Sequence, residues 1–105
     1  MPRFALIYRN AQPPKTPEEG QQHMEAWRAW SSGLGDAMVE PGMPFKQVVT
    51  ASASGIERVD DNGGFNGVSI VEAATCEEAG AMAKACPHLN LGGDILVCEG
   101  LDMEM

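Results

Sequence analysis

The side chain with the widest chemical range in this sequence is the imidazole of His23, one of only 2 histidines in 105 residues. Histidine titrates near neutral pH, so it can accept or donate a proton under physiological conditions. At about 100° per residue, His23 shares one side of a predicted helix with three apolar residues, which are Trp27, Trp30 and Leu34. Such an imidazole is either a core histidine bonded to a backbone group or a pocket residue suited to acid/base chemistry. The sequence leaves both interpretations open.

Three further side chains are candidates for the wall of a ligand pocket. Trp27 lies one helical turn after His23, and a buried indole N–H needs a hydrogen-bond partner. Tyr8 and Ser69 carry hydroxyl groups on predicted strands, where either group can face a cavity. All three also suit an ordinary core that binds no ligand. We therefore name His23 as the candidate catalytic residue, and Trp27, Tyr8 and Ser69 as candidate pocket residues.

The sequence gives little support for a metal or cofactor site. Cys86 and His88 are close together, but Cys86 lies on the apolar face of a predicted helix and His88 follows a proline. No third or fourth ligand stands near them, and the three cysteines form no CxxC pair. Gly63-Gly64 does not open a helix after a strand, so it is not a phosphate-binding loop. We expect neither a metal nor a cofactor.

Two capping signals mark the helices that position these residues. Thr16 is followed three residues later by a glutamate, with a proline at the first helical position, and this pattern predicts a helix that runs to about Leu34. The same threonine–glutamate spacing recurs at Thr75, before alanine, methionine and cysteine residues at helical spacing. Pro87 ends this second predicted helix.

Short apolar runs predict the strands. Four runs suit a sheet, at residues 3–9, 45–52, 65–73 and 94–99. Residues 36–44 are rich in glycine and proline and indicate a connection, and residues 56–59 either continue a strand or form a hairpin arm. Asn62-Gly63 predicts a turn over residues 60–64. The resulting order, β-α-β-β-α-β over the single domain 1–105, predicts a ferredoxin-like α+β fold with an antiparallel sheet and both helices on one face.

Composition narrows the classes of partner. Seven Lys and Arg stand against 15 Asp and Glu, for a net charge of −8, which disfavours nucleic acid and anionic membrane surfaces. No apolar run approaches the roughly 20 residues of a membrane-spanning helix, and no secretory signal pattern opens the chain. An odd number of cysteines fits a reduced, cytoplasmic protein. A domain this small leaves much apolar surface exposed, so self-association is expected.

The order of these segments resembles the YCII-related family, including its branch named for an Asp-Gly-Pro-Phe motif. The resemblance extends over nearly the whole chain. The segments that carry it are Phe4–Tyr8, His23–Trp30, Gly67–Ala73, Ala85–Pro87 and Gly92-Gly93. One departure is that Asn62-Gly63-Gly64-Phe65 stands where that branch has Asp-Gly-Pro-Phe, so the proline is absent and the following loop is shorter.

The resemblance implies a homodimeric α+β barrel, with a pocket in which the helix histidine, here His23, is a proposed catalytic or ligand-binding residue. It assigns no position of this sequence to that histidine's acidic partner. Two functions follow. The first is a His-dependent acid/base enzyme that isomerises, cleaves or hydrolyses a small organic molecule. The second is a non-catalytic ligand-binding or regulatory module. A monooxygenase function follows only from analogy of fold.

Overall fold

The computed structural model describes residues 1–102 and forms an α+β fold. In that range the elements are β1 (Arg3–Arg9), α1 (Pro17–Leu34), β2 (Met38–Pro44), β3 (Val49–Ser52), β4 (Gly55–Arg58), β5 (Phe65–Glu72), α2 (Cys76–Lys84) and β6 (Asp94–Glu99). Four strands form one antiparallel sheet in the order β2-β5-β1-β6. This is the predicted ferredoxin-like arrangement, with the hairpin β3–β4 added outside the main sheet.

Both predicted helix starts are confirmed. The Thr16 hydroxyl accepts the Glu19 amide at 3.1 Å, and the Thr75 hydroxyl accepts the Glu78 amide at 3.1 Å. In each case the glutamate carboxylate reaches back to the amide just before the threonine, at 2.9 Å and 3.0 Å. Each cap satisfies amides that the first turn leaves unpaired, and a cap of this kind stabilises a helix by about 1 kcal/mol.

The core lies between one face of the sheet and the two helices. Alternate residues of β1, which are Phe4, Leu6 and Tyr8, are buried there. From α2, Ala79 and Ala83 are buried against the same cluster, and from α1 Trp27, Trp30 and Leu34 pack on it half-buried. Both helices therefore cover one sheet face, as the sequence predicts. Within residues 1–102, no helix is long and apolar enough to cross a membrane.

The predicted position of the second sheet strand is wrong. Residues 36–44, predicted as a connection, contain a short turn of 3₁₀ helix and then β2, whereas residues 49–52 pair only with β4. The sequence of β2 does not indicate a strand, because glycine and proline are unusual in strands. An edge strand tolerates them, since it has no second partner strand to which their backbone amides would have to donate. The register of β2 against β5 shifts twice, and the second shift, between Glu40 and Met43, shows that β2 bulges as it passes Pro41 and Gly42.

The hairpin resolves the open question about residues 56–59, because β4 is a hairpin arm paired with β3. The predicted turn at 60–64 is present as a 3₁₀ segment, with left-handed backbone at Asp61, Asn62 and Gly63. This turn returns the chain to the main sheet, and the Asn62 amide group holds it by donating to the Lys46 carbonyl at 3.3 Å.

Candidate functional site

A cavity of about 520 Å³ opens at the end of the sheet beside α1. Its walls come from the end of β1, the loop after it, the first turns of α1, the bulge of β2, the start of β5 and the short helix after α2. All four side chains singled out from the sequence line it, and these are His23, Trp27, Tyr8 and Ser69. Residues that lie 61 positions apart in the chain are thus brought to one site.

The His23 imidazole is held by the indole of Trp27, one turn further along α1. The Trp27 Nε1–H donates to His23 Nε2 at 2.8 Å. An indole N–H can only donate, so Nε2 accepts with its lone pair, and the proton of the neutral ring sits on Nδ1. Trp27 is itself wedged edge-on between Tyr8 and Trp30, with ring centroids 4.9 Å and 5.2 Å away. The core thereby fixes the tautomer of a pocket residue.

The environment keeps His23 uncharged. Burial lowers the pKa of His23 below the ordinary value of 6.5, and repulsion by the imidazolium form of the nearby His88 lowers it further. Bonding of Nε2 by Trp27 works in the same direction, because a proton on that nitrogen would displace the indole. His23 is therefore a neutral imidazole at physiological pH.

This lowered pKa makes the stability of the fold depend on pH. Just below pH 6.5 the unfolded chain binds a proton at His23 that the folded chain does not, so the free energy of unfolding rises with pH through that window. We expect full stability from this group above pH 6.5 and its progressive loss as the pH falls. Urea titrations across the window test this. His23→Gln should flatten the dependence, whereas the exposed neighbour Gln22→Ala should retain it.

A second hydrogen-bonded unit joins β1, β5 and β2 at the cavity wall. The Tyr8 hydroxyl donates to Ser69 Oγ at 2.8 Å, and Ser69 Oγ donates to the Pro41 carbonyl at 2.6 Å. Burial raises the pKa of Tyr8 well above its ordinary value, although the bond to Ser69 opposes the shift. The phenol therefore stays protonated, and the unit ties the bulge of β2 to the centre of the sheet.

His88 is the site residue that the sequence interpretation missed. It is 4% exposed, lines the cavity, and lies 5.3 Å from Tyr8 between ring centroids. Its Nε2 is 2.9 Å from the Arg9 carbonyl oxygen. A side chain at Gly93 would collide with this imidazole and with that carbonyl, so a glycine is required there. Its position near the cavity could have been inferred from the pairing of β6 with β1, which brings the residues before β6 to the end of β1.

The chemistry of the cavity is that of an apolar chamber with a few neutral polar groups. No aspartate, glutamate, lysine or arginine lines it, and its apolar wall includes four prolines, Pro13, Pro14, Pro41 and Pro44. Within residues 1–102, no cluster of three or more His, Cys, Asp or Glu is placed to hold a metal ion. The polar side chains that line the cavity carry two imidazoles, a phenol, a serine hydroxyl and the amides of Gln12 and Asn66.

No protein-family description matches the chain, and no curated protein is similar to it in sequence. Its structure is similar to that of a 5-chloro-2-hydroxyhydroquinone dehydrochlorinase from Burkholderia phenoliruptrix, solved in complex with 2,5-dihydroxybenzoquinone. The two chains are 21% identical, the match covers 90% of this chain and 89% of that chain, and the TM-score is 0.53. This likeness supports the α+β fold.

Proposed function

We propose that this protein is an enzyme of the YCII-related type that uses histidine acid/base chemistry on a small hydroxylated ring compound. The observation that carries the proposal is the placement of His23, with its tautomer fixed, in an apolar cavity beside other uncharged hydrogen-bonding groups. Few convergent polar groups in an otherwise apolar pocket are typical of small-molecule sites. His23 acts on the ligand, while Trp27, Tyr8 and Ser69 shape and orient the pocket.

Size and chemistry support the proposed ligand class. A volume of about 520 Å³ lies within the roughly 300–1,000 Å³ range of small-molecule pockets. The aromatic side chains of Tyr8 and Trp27 in the lining suit a flat ring, and the neutral donors and acceptors suit hydroxyl or carbonyl substituents. The structural neighbour is a dehydrochlorinase named for a chlorinated hydroxyhydroquinone and solved with a hydroxylated quinone. Compounds of that class are therefore the first to test.

Tryptophan fluorescence tests for ligand binding, because the cavity lining includes Trp27 and not Trp30. We expect hydroquinone or 2,5-dihydroxybenzoquinone to quench the fluorescence saturably, through Trp27. The quench should persist in Trp30→Phe and disappear in Trp27→Phe. Chloride release from 5-chloro-2-hydroxyhydroquinone then tests turnover, which His23→Gln should lower by about 10²–10³-fold, as loss of a hydrogen-bond donor to the reacting oxygen does. Binding without turnover of any ring substrate would favour the non-catalytic binding module, and an absence of binding would remove both functions.

The protein also acts as a homodimer in this proposal, in the reducing environment of the cytoplasm that its three free cysteines suit. The sheet face opposite the helices supports dimerisation. Among the residues described, no element covers this outer face, whose centre is apolar: Ala5, Ile7, Val68, Ile70, Leu96 and Cys98. Ion pairs between Arg3 and Glu72 and between Arg9 and Asp94 bracket that centre. A second copy would bury it sheet against sheet.

A charge placed at the centre of the outer face tests the dimer. Ile7→Glu would bury an unpaired carboxylate between two sheets, at a cost of several kcal/mol, so we expect a monomer. Light scattering at micromolar concentration measures the mass. The matched control is Ile56→Glu, which places the same charge on the exposed hairpin and should leave the dimer intact. A wild-type protein that scatters as a monomer would contradict the proposal directly.

A further inference from the structure

We infer that His88, rather than His23, holds the proton-accepting nitrogen of the cavity, and that His23 serves as its neutral hydrogen-bond donor. This assignment rests on the proposed function and gives its two imidazoles separate roles. It follows from the hydrogen bond that each ring makes with the protein, because that bond decides which nitrogen keeps a lone pair.

His23 has no lone pair free to act as a base. Its Nε2 already accepts the Trp27 indole N–H at 2.8 Å, and its Nδ1 carries the proton. Accepting a second proton would require Trp27 to leave, although Tyr8 and Trp30 hold the indole edge-on. Losing the Nδ1 proton would create an imidazolate, which is unfavourable. What remains is donation of a hydrogen bond from Nδ1–H, the role of a neutral imidazole that polarises a carbonyl or stabilises an oxyanion.

His88 has the opposite arrangement. Its Nε2 faces the Arg9 carbonyl oxygen at 2.9 Å, and because a carbonyl can only accept, Nε2 carries the proton. The lone pair of the neutral ring is therefore on Nδ1. Within residues 1–102, Nδ1 has no hydrogen-bond partner, and no fully buried polar side-chain atom is left unpaired. Nδ1 is consequently reached by solvent although the residue is only 4% exposed, and the cavity is the open space that His88 lines.

The positions of the two rings suit a divided task. Tyr8 stands between them, with its ring centroid 5.3 Å from that of His88 and 4.9 Å from that of Trp27, which holds His23. A row of packed aromatic rings thus holds the acceptor and the donor on one wall. His88 is fixed further by Gly93, because any side chain there would push the ring off the Arg9 carbonyl.

The proton step follows from this division. A substrate hydroxyl gives its proton to Nδ1 of His88, which becomes an imidazolium, and the bonding electrons stay on the substrate oxygen. That oxyanion accepts a hydrogen bond from His23 Nδ1–H. The imidazolium then returns the proton to the product or to water, which restores the neutral ring. A neutral His23 matters here because a second positive charge would oppose protonation of His88.

Nitrogen-15 NMR of the full chain tests the tautomers without any substrate. The chain has only 2 histidines, so a two-bond proton–nitrogen spectrum contains two imidazoles, and His23→Gln assigns them. At mildly alkaline pH we expect the proton of His23 on Nδ1 and that of His88 on Nε2. A proton on Nδ1 of His88, or on Nε2 of His23, would overturn the assignment.

The probe 4-nitrophenol tests the roles, because its phenolate absorbs visible light. When it binds at a pH near its own pKa, wild-type protein should show more phenolate than free probe does. His88→Gln should lose this excess while still binding, and His23→Gln should keep proton transfer but bind about tenfold more weakly. The reverse pattern would overturn the inference. If 4-nitrophenol does not bind, the proposed function loses support and the tautomers alone decide the assignment. They also decide it if His88→Gln does not fold.

Discussion

Replacing Gly42 by alanine is expected to destabilise the protein by about 2–5 kcal/mol, from left-handed strain of about 1–2 and overpacking of about 1–3 kcal/mol. Gly42 has a φ of 78°, which an L side chain adopts only with strain. A Cβ there would also overlap the backbone carbonyl of Val68 on the neighbouring strand. The strand β2 would have to move away from β5, and the cavity wall at Pro41 would move with it.

Urea denaturation at one fixed protein concentration measures this effect, because the stability of the proposed dimer would depend on concentration. Gly33→Ala is the matched control. Gly33 lies in α1 with no neighbour within 4 Å of an added Cβ, so alanine should stabilise the helix there by about 0.5–1 kcal/mol. If Gly42→Ala and Gly33→Ala were both at least as stable as the wild type, that result would contradict a bulge of β2 at Gly42.

Local signals were sufficient for most of the fold. The threonine–glutamate caps act within four residues of chain, so the starts of α1 and α2 were readable without tertiary information. The apolar runs of β1, β5 and β6 are central or well-paired strands whose composition carries the strand preference directly. Their order, together with the helices, was enough to predict the fold class and three of the four strands of the main sheet.

The strand β2 was not readable because tertiary contacts override its local preferences. Its sequence contains Pro41, Gly42 and Pro44, and these residues are acceptable only because β2 is an edge strand with bulges. The hairpin strand β3 is apolar around Val49, and composition alone therefore favoured this segment as the second strand of the main sheet. Nothing local distinguishes a strand of the main sheet from an arm that projects beyond it.

Helical periodicity predicted the part of the candidate site that lies on α1. The spacing of His23 and Trp27 by four residues put them on one helical face, and the bond between their rings follows from that spacing. His88 could not be placed in the same way. It lies in a short segment after α2, and it reaches the cavity only because β6 pairs with β1 and begins beside Arg9. Long-range pairing of this kind has no local signal.

The second large loss of stability is expected from a substitution at Ser69, because its hydroxyl bonds both the Tyr8 hydroxyl and the Pro41 carbonyl. Ser69→Ala removes the acceptor of the Tyr8 hydroxyl and the donor to the Pro41 carbonyl. The buried Tyr8 hydroxyl left unpaired costs about 1–3 kcal/mol, and the lost part-buried bond to Pro41 costs about 0.5–1.5 kcal/mol, so we expect a loss of about 1.5–4.5 kcal/mol. The exposed serine of α1, Ser32, is the control, and Ser32→Ala should change stability by less than about 0.5 kcal/mol.

A double-mutant cycle then separates the two bonds of Ser69. In a Tyr8→Phe background the phenol hydroxyl is already gone, so Ser69→Ala no longer leaves it unpaired. The loss of stability caused by Ser69→Ala should therefore be smaller than in the wild type. We expect a coupling between the two residues of about 1 kcal/mol, measured by urea denaturation of the four variants. Strict additivity would mean that the Tyr8–Ser69 bond contributes nothing. Ser69 would then stabilise the fold only through Pro41, by holding the bulged edge strand that forms one wall of the cavity.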